Sequence, residues 1–274
     1  MKKYTFSRLS PLNKLLRFLL HLSIAIILGL FYPAFSRKRK ISVLRNWSKS
    51  LLRILNIQLH VHNPVQAEIL SGIIIANHRS WLDIIALNAV TPSCFIAKTE
   101  VRSWPVLGWL CQRTGTQFID RADVLETIRL NRQVADKVSA GERMAFFPEG
   151  TSSTNNKPGH FHSPLFQGAI DSQSTIQPVA IWYHDTEGHS VQAANFVGDM
   201  SFIHSLWRIL RAPSLHVTLA FLPALPASGQ NRRQLAKATH AAISQSLSDM
   251  PLRQCAPSQN EPSLPPTPAS FIAR

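Results

Sequence analysis

The apolar positions of this chain change their pattern twice. Between Phe18 and Phe35 they run almost unbroken, FLLHLSIAIILGLFYPAF, interrupted by His21, Ser23 and Gly29 ahead of Pro33. This 18-residue stretch is just short of the length that crosses a bilayer as a helix. It fits a cleaved signal peptide, a buried core helix, or a membrane anchor that spans or re-enters. The run is long for a signal peptide, and Arg37–Lys40 follow it where small residues belong, so the anchor is the favoured reading. Next, Ile41, Leu44, Trp47, Leu51 and Leu55 recur at helical spacing, while Arg45, Lys49 and Arg53 fall on a separate stripe. That pattern predicts a basic amphipathic helix. With its Trp and its apolar neighbour it suits a lipid interface better than a plain solvated surface.

From about residue 72 short apolar runs alternate with helical periodicity. Predicted strands are Gly72–Ala76, Cys94–Ala97, Gln117–Ile119, Met144–Phe147, Ile176–Tyr183, Val191–Asn195 and His216–Leu222. Predicted helices are Ser80–Ala89, Val106–Arg113, Val124–Ala140, Phe202–Arg211 and Arg232–Ser248, the third stopping at Gly141. The alternation gives an α/β class, a sheet covered by helices. Pro178, inside an apolar strand, fits a sheet edge or a bulge, and a packing feature is the favoured reading. The tail from Pro251 is proline-rich and predicts no fixed structure.

Charge sharpens this division. The 274 residues carry 29 Lys+Arg against 15 Asp+Glu, a formal +14, although only 16% are charged. Twelve bases and no acid precede Glu68. Nearly all of the excess therefore sits in the most apolar quarter, while the rest is close to balanced. A nucleic-acid enzyme would spread its basic residues around a groove in the body, so a membrane surface is the anionic partner this distribution predicts. Cys94, Cys111 and Cys255 have no metal-ligand spacing, and their odd number forbids a complete disulfide framework. They point to inert packing or surface positions on a reducing side.

Candidate chemistry clusters at four places. In Asn77-His78-Arg79-Ser80-Trp81-Leu82-Asp83 a histidine follows an apolar strand, and a carboxylate follows five residues later. With His78 in the loop and Asp83 in the first helical turn the two can meet. A carboxylate on one ring nitrogen makes the other a better base toward a hydroxyl. The competing reading is a capping box, Ser80 to Asp83, with Asp83 serving only its helix. In Gly115–Arg121 a strand ends at Asp120-Arg121, where Arg121 suits either a phosphate or an ion pair with Asp120 or Asp123. In Phe146–Ser153 a strand breaks at Pro148 into Glu149-Gly150-Thr151-Ser152, whose backbone amides could face an anion or merely turn the chain. The fourth place is Gln177-Pro178-Val179-Ala180.

Taken together and in this order, the four segments resemble the 1-acylglycerol-3-phosphate acyltransferase family of glycerolipid acyltransferases. NHRSWLD matches its NHx4D box, GTQFIDR its second block, FPEGTSS its third and QPVAIWY its fourth, covering residues from about 72 to 222. The resemblance implies a mixed central sheet flanked by helices, preceded by a membrane-docking helix pair. It divides the chain into docking helices (1–60), a catalytic acyltransferase domain (61–250) and a tail (251–274). It implies that His78 is the general base oriented by Asp83, and that acyl-CoA or acyl-carrier protein donates the acyl group to a lyso-lipid hydroxyl without a covalent acyl-enzyme. Arg121, Glu149, Gly150, Thr151 and Ser152 become acceptor-binding candidates, with Lys157 as a further cation. No metal or cofactor is implied, and Cys94 is not expected as a nucleophile.

Two positions depart from the family pattern. Ser152 stands where many members carry Arg, and His162 where Lys or Arg is more usual. Both remove fixed positive charge near the expected phosphate. The leading acceptor is 1-acylglycerol-3-phosphate, giving phosphatidate. A lyso-ornithine lipid or another lyso-lipid is the alternative, supported by the similarity of Phe161–Phe166 and Gly198–Met200 to lyso-ornithine-lipid acyltransferases. A catalytically silent lipid-binding protein on the same fold is the reading from a different class. The expected location is a bacterial inner membrane with the catalytic domain on its cytoplasmic side.

Overall fold

A computed structural model describes residues 10–68, 72–120, 123–153 and 157–254. The helices are α1 (Pro11–Phe31), α2 (Arg37–Ile54), α3 (Leu82–Val90), α4 (Leu107–Arg113), α5 (Val124–Ser139), α6 (Gln167–Asp171), α7 (Phe202–Arg211) and α8 (Arg232–Gln254). The strands are β1 (Ile57–His62), β2 (Gly72–Ala76), β3 (Cys94–Lys98), β4 (Gln117–Ile119), β5 (Arg143–Phe146), β6 (Thr175–His184), β7 (Leu215–Phe221) and β8 (Leu225–Pro226). They form one mixed sheet in the order β1-β7-β6-β2-β5-β3-β4, with β8 also pairing β6. From β6 to β4 neighbouring strands are parallel; β7 runs antiparallel to β6, and β1 follows β7.

The sheet is buried on both faces, which is why its central strands read as continuous apolar runs. In β2 the side chains alternate between two cores. Ile74 and Ala76 join the layer containing Leu51, Leu52, Leu82 and Leu87, while Ile73 and Ile75 join Leu130, Val134, Phe166 and Leu235. Helices α2, α3 and α7 therefore cover one face, and α5, α6 and α8 the other.

Helix α1 inverts the usual arrangement. Its buried stripe is Lys14, Phe18, His21, Ala25 and Gly29, while Leu12, Leu16, Leu19, Leu20, Ile24, Ile27, Leu30 and Phe31 are exposed. Two of the residues that interrupted the apolar run, His21 and Gly29, thus face the protein, while Ser23 is exposed. Lys14 Nζ donates to the carbonyls of Leu210 (3.2 Å), in the last turn of α7, and Ala212 (3.4 Å), just beyond it. His21 stacks on Trp47 of α2, with centroids 4.8 Å apart, and each ring also bonds the other residue's carbonyl. A Cβ at Gly29 would come within 2.8 Å of the Trp109 ring, so only glycine allows α1 to lie this close to α4. The helix, about 32 Å long, is held to the body along its whole length.

Four expectations need correction. The sheet begins at Ile57, so the last four residues of the segment assigned to docking belong to β1. Ile57, Leu59 and Val61 alternate with Gln58, His60 and His62, and the strand pairs with β7 in parallel. Residues Val191–Asn195 form a 3-10 turn at Gln192–Ala194 instead of a strand; Asn195 accepts from Arg79, and the Phe196 amide donates to the Arg79 carbonyl, so this segment braces a loop rather than a ladder. Pro178 lies in an interior strand, not at an edge. It sits where β6 exchanges one antiparallel partner, β8, for the next, β7, and Gln177 Nε2 fills the break by donating to the Leu222 carbonyl. Helix α8 runs on from Ser248 to Gln254, with Met250 buried in the core; the rest of the proline-rich tail, with Cys255, lies outside the described residues.

Candidate active site

The parallel strands deliver their loops to one end of the sheet, where ligand sites of such sheets form. Asn77 is the first residue beyond β2. Its buried amide continues the ladder that the backbone leaves: Nδ2 donates to the Ile181 carbonyl at 2.9 Å, and Oδ1 accepts from the Ile181 amide at 2.8 Å. The next residue is then fixed through its backbone. The His78 amide donates to Glu149 Oε1 (2.8 Å), and its carbonyl accepts from the Ser153 amide (2.9 Å).

The His78 ring is held from two sides. Phe147 stacks on it with a centroid distance of 4.1 Å and an interplanar angle of 10°. Nδ1 lies 2.8 Å from Asp83 Oδ2; the Asp83 side chain is 0% exposed and that of His78 22%. The same Oδ2 accepts the amides of Arg79 (2.7 Å) and Ser80 (2.9 Å), and Oδ1 accepts the Tyr183 hydroxyl (2.7 Å). Both readings of Asp83 therefore hold at once. The carboxylate gathers the backbone amides ahead of α3 and also binds the imidazole. With Asp83 as acceptor, Nδ1 carries the hydrogen and Nε2 keeps its lone pair. Burial and the adjacent Asp83 push the Tyr183 phenol well above its ordinary range, so it stays a donor.

The second acid plays a different part. Glu149 is 6% exposed, and both its oxygens are occupied, Oε1 by the His78 amide and Oε2 by the Gly159 amide at 2.7 Å. It ties the β2 loop to the β5 loop. Gly150 follows with φ of 75°, a left-handed turn that suits glycine. A cavity of about 350 Å³ adjoins, lined by Lys98, Glu100, Ile119, Asp120, Glu149, Gly150, Thr151 and His162. A second, of about 270 Å³, shares Ile119 and His162 with it and continues between Pro148, Pro164 and Leu165.

The structure thus unites His78 with Asp83 and places Glu149, Gly150 and Thr151 at the cavity beside them. Ser152 is half-buried, its hydroxyl donating to the Phe196 carbonyl, and Lys157 is exposed; neither is among the described residues that line the cavity. Arg121 lies outside the described residues. Burial and Glu142 push the Cys94 thiol up to about 11, so it is not an activated nucleophile. Sequence reading missed Lys98 at the cavity, and it missed Asn77, Phe147, Arg79 and Tyr183 as supports. For Tyr183 a signal existed: it shares the period-two face of Val179 and Ile181, and a buried phenol needs a partner.

An oriented imidazole, a fixed carboxylate and an adjoining cavity at the strand ends define a base-assisted transfer site on an α/β sheet. The family model for the Acyltransferase family matches residues 58–182. The chain is 37% identical over 187 residues to a 1-acyl-sn-glycerol-3-phosphate acyltransferase of Neisseria gonorrhoeae, covering 68% of this chain and 72% of that one. It is 36% identical over 169 residues to a lyso-ornithine lipid O-acyltransferase of Pseudomonas aeruginosa, covering 62% and 65%. The crystal structure of the 1-acyl-sn-glycerophosphate acyltransferase PlsC from Thermotoga maritima shares the fold, with a TM-score of 0.62 at 20% identity over 90% of this chain and all of that one. The chain belongs to the 1-acylglycerol-3-phosphate acyltransferase family, and it is an O-acyltransferase of lyso-lipids.

Proposed function

We propose that this enzyme moves a fatty acyl group from acyl-CoA or acyl-carrier protein to the free hydroxyl of 1-acylglycerol-3-phosphate, with His78 as general base. The observation that carries this is the His78–Asp83 pair, with Nδ1 engaged at 2.8 Å and its carboxylate fully buried. Nε2 takes the hydroxyl proton as the oxygen attacks the thioester carbonyl. The tetrahedral intermediate collapses with C–S cleavage, and the imidazolium returns the proton to the leaving thiolate. Asp83 stabilises the imidazolium between these steps and fixes its tautomer. The chain's residues supply every proton transfer, and no cofactor enters. The acceptor headgroup occupies the cavity at Gly150 and Thr151, with Lys98 as its cation there; Arg121, outside the described residues, is the further cation that the family resemblance implies.

The same reading has the enzyme work at a membrane surface. Helix α1 presents eight large apolar side chains outward and buries Lys14, His21, Ala25 and Gly29 beside Phe18, an arrangement that suits a helix facing lipid. Its protein-facing stripe favours lying in the interface over standing free across the bilayer. We place the catalytic domain on the cytoplasmic side.

A second acceptor is favoured by one observation. Among the described cavity residues, Glu100 and Asp120 stand beside a single lysine, Lys98, and His162 stands where the family pattern carries a cation. An ornithine headgroup carries an amine that Glu100 would bind, whereas it opposes a phosphate. The test offers purified enzyme both lyso-lipids in bilayers, with labelled acyl-CoA or acyl-carrier protein. Phosphatidate as the main product supports the first acceptor, and acylated ornithine lipid supports the second. Transfer to neither would sink the assignment.

A further inference from the structure

One cavity lies away from the chemistry. It has a volume of about 620 Å³ and runs between the helix pair and the body. Arg37, Lys38, Lys40 and Arg45 enter it from α2, and Arg113, Lys137 and Arg143 from the body, against one carboxylate, Glu142. Its position follows from the strand order. Ser93 and Cys94 open β3, Gly115 precedes β4 and Arg143 opens β5, so the groove lies at the N-terminal ends of the parallel strands. His78 and Glu149 lie past the C-terminal ends of β2 and β5.

The cations there have few charge partners. Glu142 meets Lys137 at 3.3 Å and the Cys94 sulfur at 3.7 Å. Arg37 donates to the Gly141 carbonyl and Arg143 to the Thr91 hydroxyl, which leaves both charges uncompensated by an acid. Arg45 Nε is buried without a hydrogen-bond partner. Burial, and then the like charges of Arg45 and Arg37, pull the Arg143 guanidinium down to about 10. Like charges held together in a half-enclosed groove repel one another until an anion enters.

We infer that this groove is a second lipid site, one that receives the headgroup phosphate of an anionic membrane phospholipid, distinct from the acceptor at His78. Two features select lipid over a soluble phosphate. Tyr32, Ile41 and Leu44 give the groove apolar walls, and Tyr32 continues directly from Leu30 and Phe31, exposed on the outer face of α1. A phosphate held by the cations would leave its acyl chains along that face. An acyl carrier docked here would be on the wrong end of the sheet, because β5 alone sets the two ends apart by about 10 Å. The inference rests on the membrane-docking reading above. It adds a built pocket to general attraction by basic residues, and it joins α2 to the α5–β5 turn through a shared ligand.

The test uses the full chain and vesicles of phosphatidylcholine with or without phosphatidylglycerol. Lys38→Gln, Lys40→Gln and Arg113→Gln are combined in one variant. Arg17→Gln, Lys49→Gln and Arg53→Gln form a charge-matched control on the same helix pair but outside the groove. Diffuse attraction to an anionic leaflet is worth at most about fivefold in partition per basic residue, roughly a hundredfold for three, and the groove variant, which also loses its phosphate site, should lose more than that on anionic vesicles. It should lose nothing on neutral ones, and the control should lose much less. Equal losses from both variants would reduce the groove to diffuse charge and overturn the proposal. Inorganic phosphate is assayed alone by thermal shift. Groove-dependent stabilisation by phosphate with unaltered vesicle binding would assign the site to a soluble phosphate ester instead. Groove-dependent capture of acyl-carrier protein with unaltered vesicle binding would likewise defeat it. Acyl transfer to detergent-dispersed acceptor should proceed at the native rate in the groove variant. A native chain that transfers nothing would refute the catalytic reading without touching the vesicle result.

Discussion

The two ends of the parallel sheet handle charge in opposite ways. At the C-terminal end the two buried acids are saturated: Asp83 accepts four hydrogen bonds and Glu149 two. At the N-terminal end seven cations share one carboxylate. The difference separates positioning from attraction. A base must hold one orientation through a proton transfer, and saturation with fixed donors provides that. A surface that captures anions gains from leaving its cations unmatched until the partner arrives.

The first way to break this comparison is Asp83→Asn. An amide there turns an N–H toward the donors that now meet a carboxylate, and it releases the imidazole tautomer. Transfer should fall about a thousandfold, measured as kcat with saturating thioester, while partition to vesicles stays native. Loss of vesicle binding along with kcat would mean that the two ends are not independent. Glu149→Gln comes next. Its amide can accept from only one of the two backbone N–H groups, so stability should drop by about 1.5–3 kcal/mol, with a further loss of transfer. Chemical denaturation with a parallel rate assay reads both. An unchanged midpoint would show that Glu149 does not brace the two loops.

Tyr183→Phe is gentler. It removes one donor from a carboxylate that keeps three, so the expected loss is about 1–2 kcal/mol with a modest fall in rate. The smallest effect belongs to neither end. His60, His184 and His216 lie together across β1, β6 and β7, with His60 Nε2 2.9 Å from His216 Nδ1. Burial, and for the latter two the neighbouring imidazoles, lower all three below the ordinary 6.5. The unfolded chain then binds more protons than the folded one. Their contribution is complete above about 6.5 and is lost as pH falls through the lower folded values. Melting temperature should decline on acidification from neutrality, less steeply in His184→Gln. A parallel decline in both would remove these imidazoles from the account.

Much of this was legible in the sequence, and the exceptions are physical. The strand–helix alternation, the His78–Asp83 pair and the basic amphipathic helix follow from local spacing. Strand β1 was hidden because a helical pattern runs directly into it, although Ile57, Leu59 and Val61 alternate cleanly. Pro178 misled because the exchange of β8 for β7 depends on chain segments more than forty residues away. Lys98 and Tyr183 reach the site from β3 and β6, a non-local fact that only strand order supplies. The groove combines α2 with the starts of three strands, so no single stretch announces it. The N-terminal charge was visible, but not that part of it converges with Arg113, Lys137 and Arg143.

The central claim is that His78 Nε2 accepts the proton of the lyso-lipid hydroxyl. Its most direct test is acyl transfer by His78→Ala on acceptor-bearing bilayers, with vesicle partition measured on the same preparation. Loss of an oriented general base predicts a fall of about 10²–10⁴-fold with partition unchanged. Transfer at the native rate would contradict the claim.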